Sequence, residues 1–559
     1  MATESNNSFE GDFSEAEAPD EEMKTVQKKR RRSPFTPAMV EALVYIGVFA
    51  VTVLLFFLVK PYYTTWHDGS VAQGVAVIAI GIDAFVAVYL AVNKKLNAKT
   101  AVILMFIAGT ALRIGYMLYT PASTRQQDTF SSNANGHEAY AWTIFSTGSL
   151  PSTNDYQFYH PPLNALIQAG FMKIVSLFNA SEEFIARFQQ GCPSYGYMTA
   201  ERYYLYQTCQ ILSVMYSVIT MAVQLKILKK MNFKGMAYAG VAAIVIFFPR
   251  QIQFAGMLNN DGLSYLFAIL ALYYIICWWK GGKGFGYIIA GGFAVGLGMM
   301  AKLSSATICI PLAGVFIYEF VRTVRKREGS ISFLKMVGEY AAFIVPAAAI
   351  GLWFQVYAYV KFGQEFGFVF SNLNSKLYTG DYSVFQRFFF SVTDLFYLYC
   401  DPFEGNYNLF NYSLHSAIFG EFSYWQGEGF AGLAVIFAYV AVAVLAVALV
   451  YALYLFFRYD LKDKSEEAAE DKRNIFFTFL LVQSQALSEI YFYVKMPYAC
   501  TMDFRYIMPM ILGVALTAGL VNKRLARQGG KFAAVMTRLV TVSFAMALLC
   551  SSLFYMVCI

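Results

Sequence analysis

Polar and charged residues that could take part in chemistry stand at a few points of an otherwise apolar chain. They include carboxylates, imidazoles, a lysine and an arginine, which are groups that accept protons or bind phosphate. In chain order they are Arg125-Gln126-Gln127-Asp128, Gly136-His137-Glu138, Tyr159-His160-Pro161-Pro162-Leu163, Leu258-Asn259-Asn260-Asp261, Ala301-Lys302-Leu303-Ser304 and Met502-Asp503-Phe504-Arg505-Tyr506. All fall near the same end of the predicted apolar helices, so a proton acceptor and phosphate-binding cations could share one cavity.

Asp128 is the candidate proton acceptor of this set. A lone acid in a loop is also typical of a solvated side chain or a helix cap, and residue type leaves both interpretations open. Asp155 has the same loop placement but lies in no motif. We therefore interpret Asp155 as a solvated acid.

Lys302 and Arg505 are the candidate phosphate-binding cations. Lys302 lies between two apolar segments, where a cation is costly unless it is paired, reaches the interface or faces a cavity. A guanidinium such as that of Arg505 suits two-pronged phosphate binding, and Asp503 could orient it. Arg250, beside Pro249 at a helix end, is interpreted as an interface anchor only.

His137 and His160 are two of only 4 histidines and belong to one loop. Either could contact a substrate or brace the loop. A divalent metal held by Asp128, His137 and His160 is an alternative. The spacings of 9 and 23 residues match no metal motif, however, so they give a metal no support, and no cofactor is predicted.

Two further acidic positions have competing interpretations. Asn260 and Asp261 stand at the start of an apolar segment, where they could cap the helix or contact a substrate. Asp83 lies in the middle of an apolar segment, where an acid is a functional candidate. It could serve a proton-coupled transporter or form a structural pair with Arg113.

The composition indicates that most of this chain is surrounded by lipid. Of its 559 residues, 58% are hydrophobic and 14% are charged, whereas soluble domains have about 25% charged residues. Repeated apolar runs are long enough to cross about 30 Å of hydrocarbon. The net charge of +7 arises from short basic clusters between these runs, which is typical of membrane orientation and not of nucleic-acid binding. A soluble enzyme, a disordered scaffold and a nucleic-acid-binding protein are excluded.

The predicted fold is an all-α polytopic membrane protein with about 13 transmembrane helices. These are predicted at 39–59, 71–92, 101–119, 204–225, 236–254, 262–279, 285–300, 303–319, 338–360, 430–457, 474–494, 506–521 and 534–557. With the basic N-terminal tail inside, 29 of the 43 Lys and Arg fall in segments assigned to the cytoplasm. These segments are 1–38, 93–100, 226–235, 280–284, 320–337, 458–473 and 522–533. We therefore predict a multi-pass cell-membrane protein with a cytoplasmic N-terminus.

Two long connections, 120–203 and 361–429, are then placed on the outer face. Connections of that length are uncommon unless they serve a function. The first contains an apolar stretch from Leu163 to Phe178 that is short for a span, and we predict a helix along the outer surface. The candidate residues fall at this extracytoplasmic end.

The polar motifs of this chain resemble those of GT-C superfamily glycosyltransferases, in particular the protein O-mannosyltransferase and aminoarabinose transferase group. The resemblance rests on the acidic first outer loop, His160-Pro161-Pro162-Leu163, Asn260-Asp261, Lys302 after a glycine-rich segment, and Asp503-Phe504-Arg505-Tyr506. It covers about 100–320 together with 503–506. Together with the composition and the apolar runs, this predicts a disordered tail at 1–38, two additional helices at 39–100, a GT-C-like core at 101–360, an outer loop at 361–429 and C-terminal helices at 430–559.

The resemblance implies transfer of a sugar from a polyprenyl-phosphate donor to a lipid, glycan or protein acceptor on the extracytoplasmic face. Asp128 would be the catalytic base, Lys302 and Arg505 would bind the donor phosphate, and the other candidates would shape the substrate pocket. These others are His137, His160, Asn260, Asp261 and Asp503. The competing hypotheses are a flippase for lipid-linked sugars, which performs no covalent chemistry, and a phosphotransferase that moves a lipid head group.

Overall fold

The computed structural model describes residues 36–62, 71–123, 126, 128–282, 284–325, 330–369, 377–389, 407–420 and 428–557. Almost all of the predicted cytoplasmic tail and parts of the second outer loop lie outside the described residues. The chain divides into two compact units, Met1–Ile46 and Gly47–Ile559. The described part of the first unit is the beginning of the first helix, and the second unit holds the candidate site.

The described residues are mainly helical and form no strand, apart from one isolated bridge between Tyr378 and Tyr498. The helices are α1 (Pro37–Leu58), α2 (Val71–Val92), α3 (Ala98–Tyr119), α4 (His137–Thr147), α5 (Leu163–Ser176), α6 (Glu182–Ala186), α7 (Ala200–Thr208), α8 (Gln210–Lys230), α9 (Gly235–Phe247), α10 (Pro249–Gln253), α11 (Asp261–Lys280), α12 (Phe285–Ala301), α13 (Cys309–Arg325), α14 (Ser330–Gly351), α15 (Trp353–Phe362), α16 (Val384–Phe388), α17 (Leu409–Phe419), α18 (Glu428–Leu455), α19 (Glu466–Lys495), α20 (Met510–Gln528) and α21 (Gly530–Val557).

Ten of the described helical segments are long and apolar enough to cross a membrane. An eleventh is added if the pair Ala499–Ile507 and Met510–Gln528, bent by 59°, is one span. The prediction of a polytopic all-α membrane protein is therefore confirmed, whereas the count of 13 is not. The difference lies in α9 and α12, which have only 13 and 17 residues.

The break between α9 and α10 has a local cause in the sequence. Pro249 is the first residue of α10, and Phe248 before it is extended. Proline has no N–H to donate and disfavours helical backbone in the residue before it, so one continuous helix over 236–254 is prevented. The apolar stretch predicted to lie along the surface is α5, which is also too short to span.

Two contacts join loop segments that are assigned to the same side of the membrane. Lys280 forms an ion pair of 3.3 Å with Glu470, and both belong to segments assigned to the inner face or its edge. At the other end, the Thr379 N–H donates to the Pro497 carbonyl over 2.8 Å, which joins two segments assigned to the outer face. Which end faces the cytoplasm stays a prediction from the basic residues.

The proposed structural pair of Asp83 and Arg113 is absent among the described residues. The Arg113 guanidinium is fully buried and donates to the Ser217 hydroxyl over 2.8 Å and to the Gly109 and Ile246 carbonyls over 2.8 and 2.9 Å. These bonds hold the guanidinium within the helix bundle, although its Nη2 is buried without a hydrogen-bond partner among the described residues. Asp83 lies on α2, most of whose side chains are exposed on the described surface.

Candidate functional site

The fold brings the eight predicted site residues together at one end of the helix bundle. They come from the loop before α4, the segment before α5, the start of α11, the end of α12 and the segment before α20. Seven of them contact another member directly, through ion pairs, a hydrogen bond or ring stacking. The eighth, Asn260, adjoins Asp261. The site is thus assembled from segments as much as 377 positions apart in sequence.

The loop that carries Asp128 is closed onto the start of α4 by two backbone bonds. The His137 N–H donates to the Asp128 carbonyl over 3.2 Å, and the Glu138 N–H donates to the Thr129 carbonyl over 3.0 Å. Gly136 permits this approach, because a Cβ there would lie 2.5 Å from the Thr129 carbonyl oxygen. As a result the Asp128 carboxylate lies 3.7 Å from the His137 imidazole.

Arg505 approaches the same carboxylate from the other side of the site. Its guanidinium lies 3.6 Å from the Asp128 carboxylate, whose side chain is 19% exposed. Burial raises the pKa of Asp128, but the positive charges of Arg505, His137 and Lys302 outweigh burial and hold that pKa well below its usual range. Asp128 is therefore fully ionised and faces cations.

Asp503 and Arg250 fix the backbone from which Arg505 projects. The Arg505 N–H donates to the Asp503 carboxylate over 2.7 Å. Arg250 donates two bonds, of 2.7 and 2.8 Å, to the same carboxylate, and both side chains are almost fully buried. The interpretation of Arg250 as an interface anchor is wrong, because it is the buried ion-pair partner of Asp503. Asp503 binds the backbone of Arg505, whereas the sequence suggested that it orients the guanidinium.

Lys302 and Asp261 form the second ion pair of the site. The Lys302 ammonium donates to the Asp261 carboxylate over 2.5 Å, and both side chains are at least nine-tenths buried. Lys302 follows the last residue of α12 and Asp261 is the first residue of α11. A cation at a helix C-terminus and an anion at a helix N-terminus are both favoured by the helix dipoles. The expectation that a buried lysine needs a partner is met by Asp261.

Asn259 and Asn260 support the same turn in different ways. The Asn259 amide donates to the Asp261 carboxylate over 2.9 Å and accepts from the Asp261 N–H over 3.2 Å. Asn260 occupies the N-cap position of α11, but its side chain makes no cap hydrogen bond. Its Nδ2 is buried and has no hydrogen-bond partner among the described residues. The capping interpretation is therefore wrong for the Asn260 side chain.

Tyr506 links the two groups of charged residues, although reasoning from the sequence assigned it no role of its own. The Lys302 ammonium lies 4.7 Å from the centre of the Tyr506 ring, and the Arg505 guanidinium lies 5.2 Å from it. The Arg505 guanidinium also donates to the Tyr506 hydroxyl over 3.2 Å. One aromatic ring thus contacts both candidate phosphate-binding cations.

The two histidines stack in the site. The His137 and His160 rings lie 5.6 Å apart at an angle of 15°, and the Tyr159 ring lies 4.0 Å from that of His160. The His160 carbonyl accepts from the Tyr140 hydroxyl over 3.1 Å. Burial, with the positive charges of His137 and Lys302, lowers the pKa of His160 well below its ordinary value. His160 is therefore neutral near pH 7 and braces the loop by stacking.

This lowered pKa predicts a pH-dependent stability. The unfolded chain takes up a proton at His160 as the pH falls through about 6.5, whereas the folded protein does so only at lower pH. Stability should therefore fall with pH below that value, by up to about 1.4 kcal/mol per unit. His160→Phe should show a flatter dependence of melting temperature between about pH 7 and 5. Tyr159→Phe is the control and should keep the wild-type slope; an unchanged slope in His160→Phe contradicts the prediction.

A buried ion pair that the sequence did not indicate supports α4. Arg202 of α7 donates two bonds, of 2.6 and 2.9 Å, to the fully buried Glu138 carboxylate. Its guanidinium also stacks on the Trp142 and Tyr197 rings, at 5.0 and 4.6 Å. Glu138 adjoins His137, so the pair fixes the helix turn that carries this site residue.

Among the described residues, no group of three or more His, Cys, Asp or Glu comes together as a possible metal site. Asp128 and His137 are neighbours, but His160 contacts only His137 of these two, by ring stacking. No family model matches this chain, and no curated protein matches it.

Proposed function

We propose that this protein is a glycosyltransferase that moves a sugar from a polyprenyl-phosphate donor to a lipid, glycan or protein acceptor on the extracytoplasmic face. The observation that carries the proposal is the position of Asp128. Its ionised carboxylate lies against Arg505, and Lys302 lies 4.7 Å from the centre of the Tyr506 ring that Arg505 also contacts. A proton acceptor and two phosphate-binding cations are what such a transfer requires.

In this reaction, the acceptor hydroxyl oxygen forms a bond to the anomeric carbon of the sugar. The bond from that carbon to the phosphate oxygen breaks, and the electron pair leaves with the lipid phosphate. Asp128 takes the hydroxyl proton, while Arg505 and Lys302 stabilise the charge that develops on the phosphate. No metal or other cofactor is needed for the atoms and charges to balance.

The ion pairs of the site suggest how donor binding prepares the base. Arg505 and Lys302 lower the pKa of Asp128 in the ligand-free protein, which makes it a weak proton acceptor. A bound phosphate shares these cations and adds negative charge nearby, so the pKa of Asp128 rises. The carboxylate thus becomes a better base only when the donor is in place.

The membrane setting favours a lipid-linked donor. The candidate site lies at the end of the bundle that we assign to the extracytoplasmic face, with the N-terminus in the cytoplasm. Nucleotide sugars are cytoplasmic, so a transferase working outside needs a sugar carried across on a lipid. Nucleic acid has no role in this proposal, and the surrounding lipids are partners only as solvent and donor carrier.

The experiment that tests this function uses purified full-length protein in detergent with polyprenyl-phosphate sugars and a membrane extract as acceptor. A transferase should release free polyprenyl phosphate and produce a glycosylated acceptor without a second compartment. A flippase cannot form these products, because it moves a lipid across an intact bilayer and breaks no covalent bond. If no donor sugar yields polyprenyl phosphate, while reconstituted vesicles translocate the lipid-linked sugar, the transport hypothesis replaces this proposal.

A further inference from the structure

A cavity of about 740 Å³ lies at the end of the bundle opposite the candidate site. It is bordered by α3, α9, α20 and α21, and its size is within the range of about 300–1,000 Å³ typical of small-molecule sites. Its walls are mainly apolar, with Met105, Ile244, Val540, Phe544 and Leu548 among the lining side chains. A ligand for this cavity must therefore carry a large hydrocarbon part.

Gly240 of α9 leaves one wall of this cavity open. It lines the cavity, and a Cβ placed on it would have no atom within 4 Å. The neighbouring Met236 is 65% exposed, so the cavity also has an open side along α9. An elongated apolar chain could enter from the membrane at this position.

The rim of the cavity is positively charged on the side of α9. The charged residues that line it are Lys234, Lys523 and Glu467, and Glu467 is paired with Lys523 over 3.5 Å and with Arg527 over 2.7 Å. Lys234 lines the cavity itself and is exposed. It also occupies the N-cap position of α9, where no side chain caps the helix. The free N–H groups of that first turn add partial positive charge to the same rim.

The facing side of the cavity carries polar atoms that lack partners. The Asn522 Oδ1 and Thr537 Oγ1 atoms are buried and have no hydrogen-bond partner among the described residues, and both residues line the cavity. Lys523, on the same side, is already paired with Asp471 over 2.7 Å. Buried polar atoms without partners are rare, and a ligand with hydroxyl groups would satisfy these two.

We propose that this cavity binds an anionic phospholipid. The phosphate lies at Lys234 and the N-terminus of α9, the glycerol or head-group hydroxyls meet Asn522 and Thr537, and an acyl chain extends along Gly240 between α9 and α21. The combination of apolar walls with a basic rim is the charge pattern that recognises such lipids between membrane helices. The site is distinct from the proposed transferase site and does not depend on it.

The test is native mass spectrometry of the purified full-length protein with phosphatidylglycerol or phosphatidylcholine of identical chains. The wild type should retain one phosphatidylglycerol molecule and bind phosphatidylcholine at least tenfold more weakly. Gly240→Leu fills the open wall and should abolish this retention. Gly338→Leu is the matched control, because a Cβ at Gly338 also has no atom within 4 Å but does not line the cavity.

A charge variant tests the head-group contact separately. Lys234→Gln should weaken phosphatidylglycerol binding about fivefold, since one basic residue near a lipid surface contributes about 1 kcal/mol. Lys335→Gln, also an exposed lysine assigned to the inner face, should not change it. Equal retention of both lipids, or full retention in Gly240→Leu, overturns the proposal. The proposal is also overturned if glycerol phosphate, which has no acyl chain, binds as tightly as phosphatidylglycerol. It is overturned as well if the wild type forms a dimer that Gly240→Leu dissociates, because a second copy of the protein would then cover the cavity.

Discussion

Replacing Asp128 by asparagine should lower kcat for sugar transfer about 10²–10⁴-fold, which is the usual contribution of a general base. The amide keeps the size of the side chain and can still accept a hydrogen bond, but it cannot take the acceptor proton. Steady-state rates of polyprenyl phosphate release, measured at saturating donor, would show the loss. The expression level should stay normal, whereas the melting temperature should fall, because the side chain loses its charge contacts with Arg505 and His137.

The same variant should leave the KM for the donor unchanged or lower it. The Asp128 carboxylate contacts Arg505, so under the proposed function it would compete with the donor phosphate for that guanidinium. The neutral amide no longer competes, so phosphate binding should be at least as strong. A loss of kcat without a rise in KM identifies an interaction made only in the transition state. A structural role for Asp128 would instead raise KM together with the fall in melting temperature.

Asp155→Asn is the matched control for this experiment. Asp155 belongs to the same outer loop, is exposed, and makes no side-chain cap bond at the short helix that follows it. Its replacement should change kcat less than about twofold, because surface substitutions away from special contacts have small effects. If Asp128→Asn keeps full turnover, or if Asp155→Asn loses as much, Asp128 is not the base.

The helical membrane fold and most members of the candidate site could be predicted from the sequence. The physical reason is the contrast between charged residues and an apolar chain. A charged residue in an apolar chain is costly, so Lys302, Arg505 and Asp503 are conspicuous without any knowledge of their partners. Hydrocarbon thickness likewise determines the length of the ten helical segments that are long and apolar enough to cross a membrane. The predicted span at 236–254 failed because Pro249 ends one helix and begins another.

The sequence could not identify which charges pair. Arg250 and Asp503 are 253 positions apart, and Glu138 and Arg202 are 64 apart. Such pairs are determined by how helices pack, and no local spacing records them. The only available signal was the cost of an arginine within an apolar region, and at Arg250 the neighbouring proline favoured the interpretation of an interface anchor.

The Lys302–Asp261 pair permits a test that separates structure from catalysis. Lys302→Met alone leaves the Asp261 carboxylate buried without its cation, which should cost about 3–5 kcal/mol of stability. It should also lower kcat about 10²–10³-fold if the ammonium stabilises the leaving phosphate. The single variant therefore loses both properties, and by itself it cannot distinguish a structural lysine from a catalytic one.

The double variant Lys302→Met with Asp261→Asn separates the two roles. It removes both charges, so no buried charge is left unpaired, and the Asn259 amide can still bond the new side chain at position 261. Most of the lost free energy of unfolding should return. Turnover should stay about 10²–10³-fold below the wild type, because the phosphate still lacks its cation. Recovery of turnover together with stability would mean that Lys302 serves only Asp261, and the donor phosphate would then have to be stabilised by Arg505 without it.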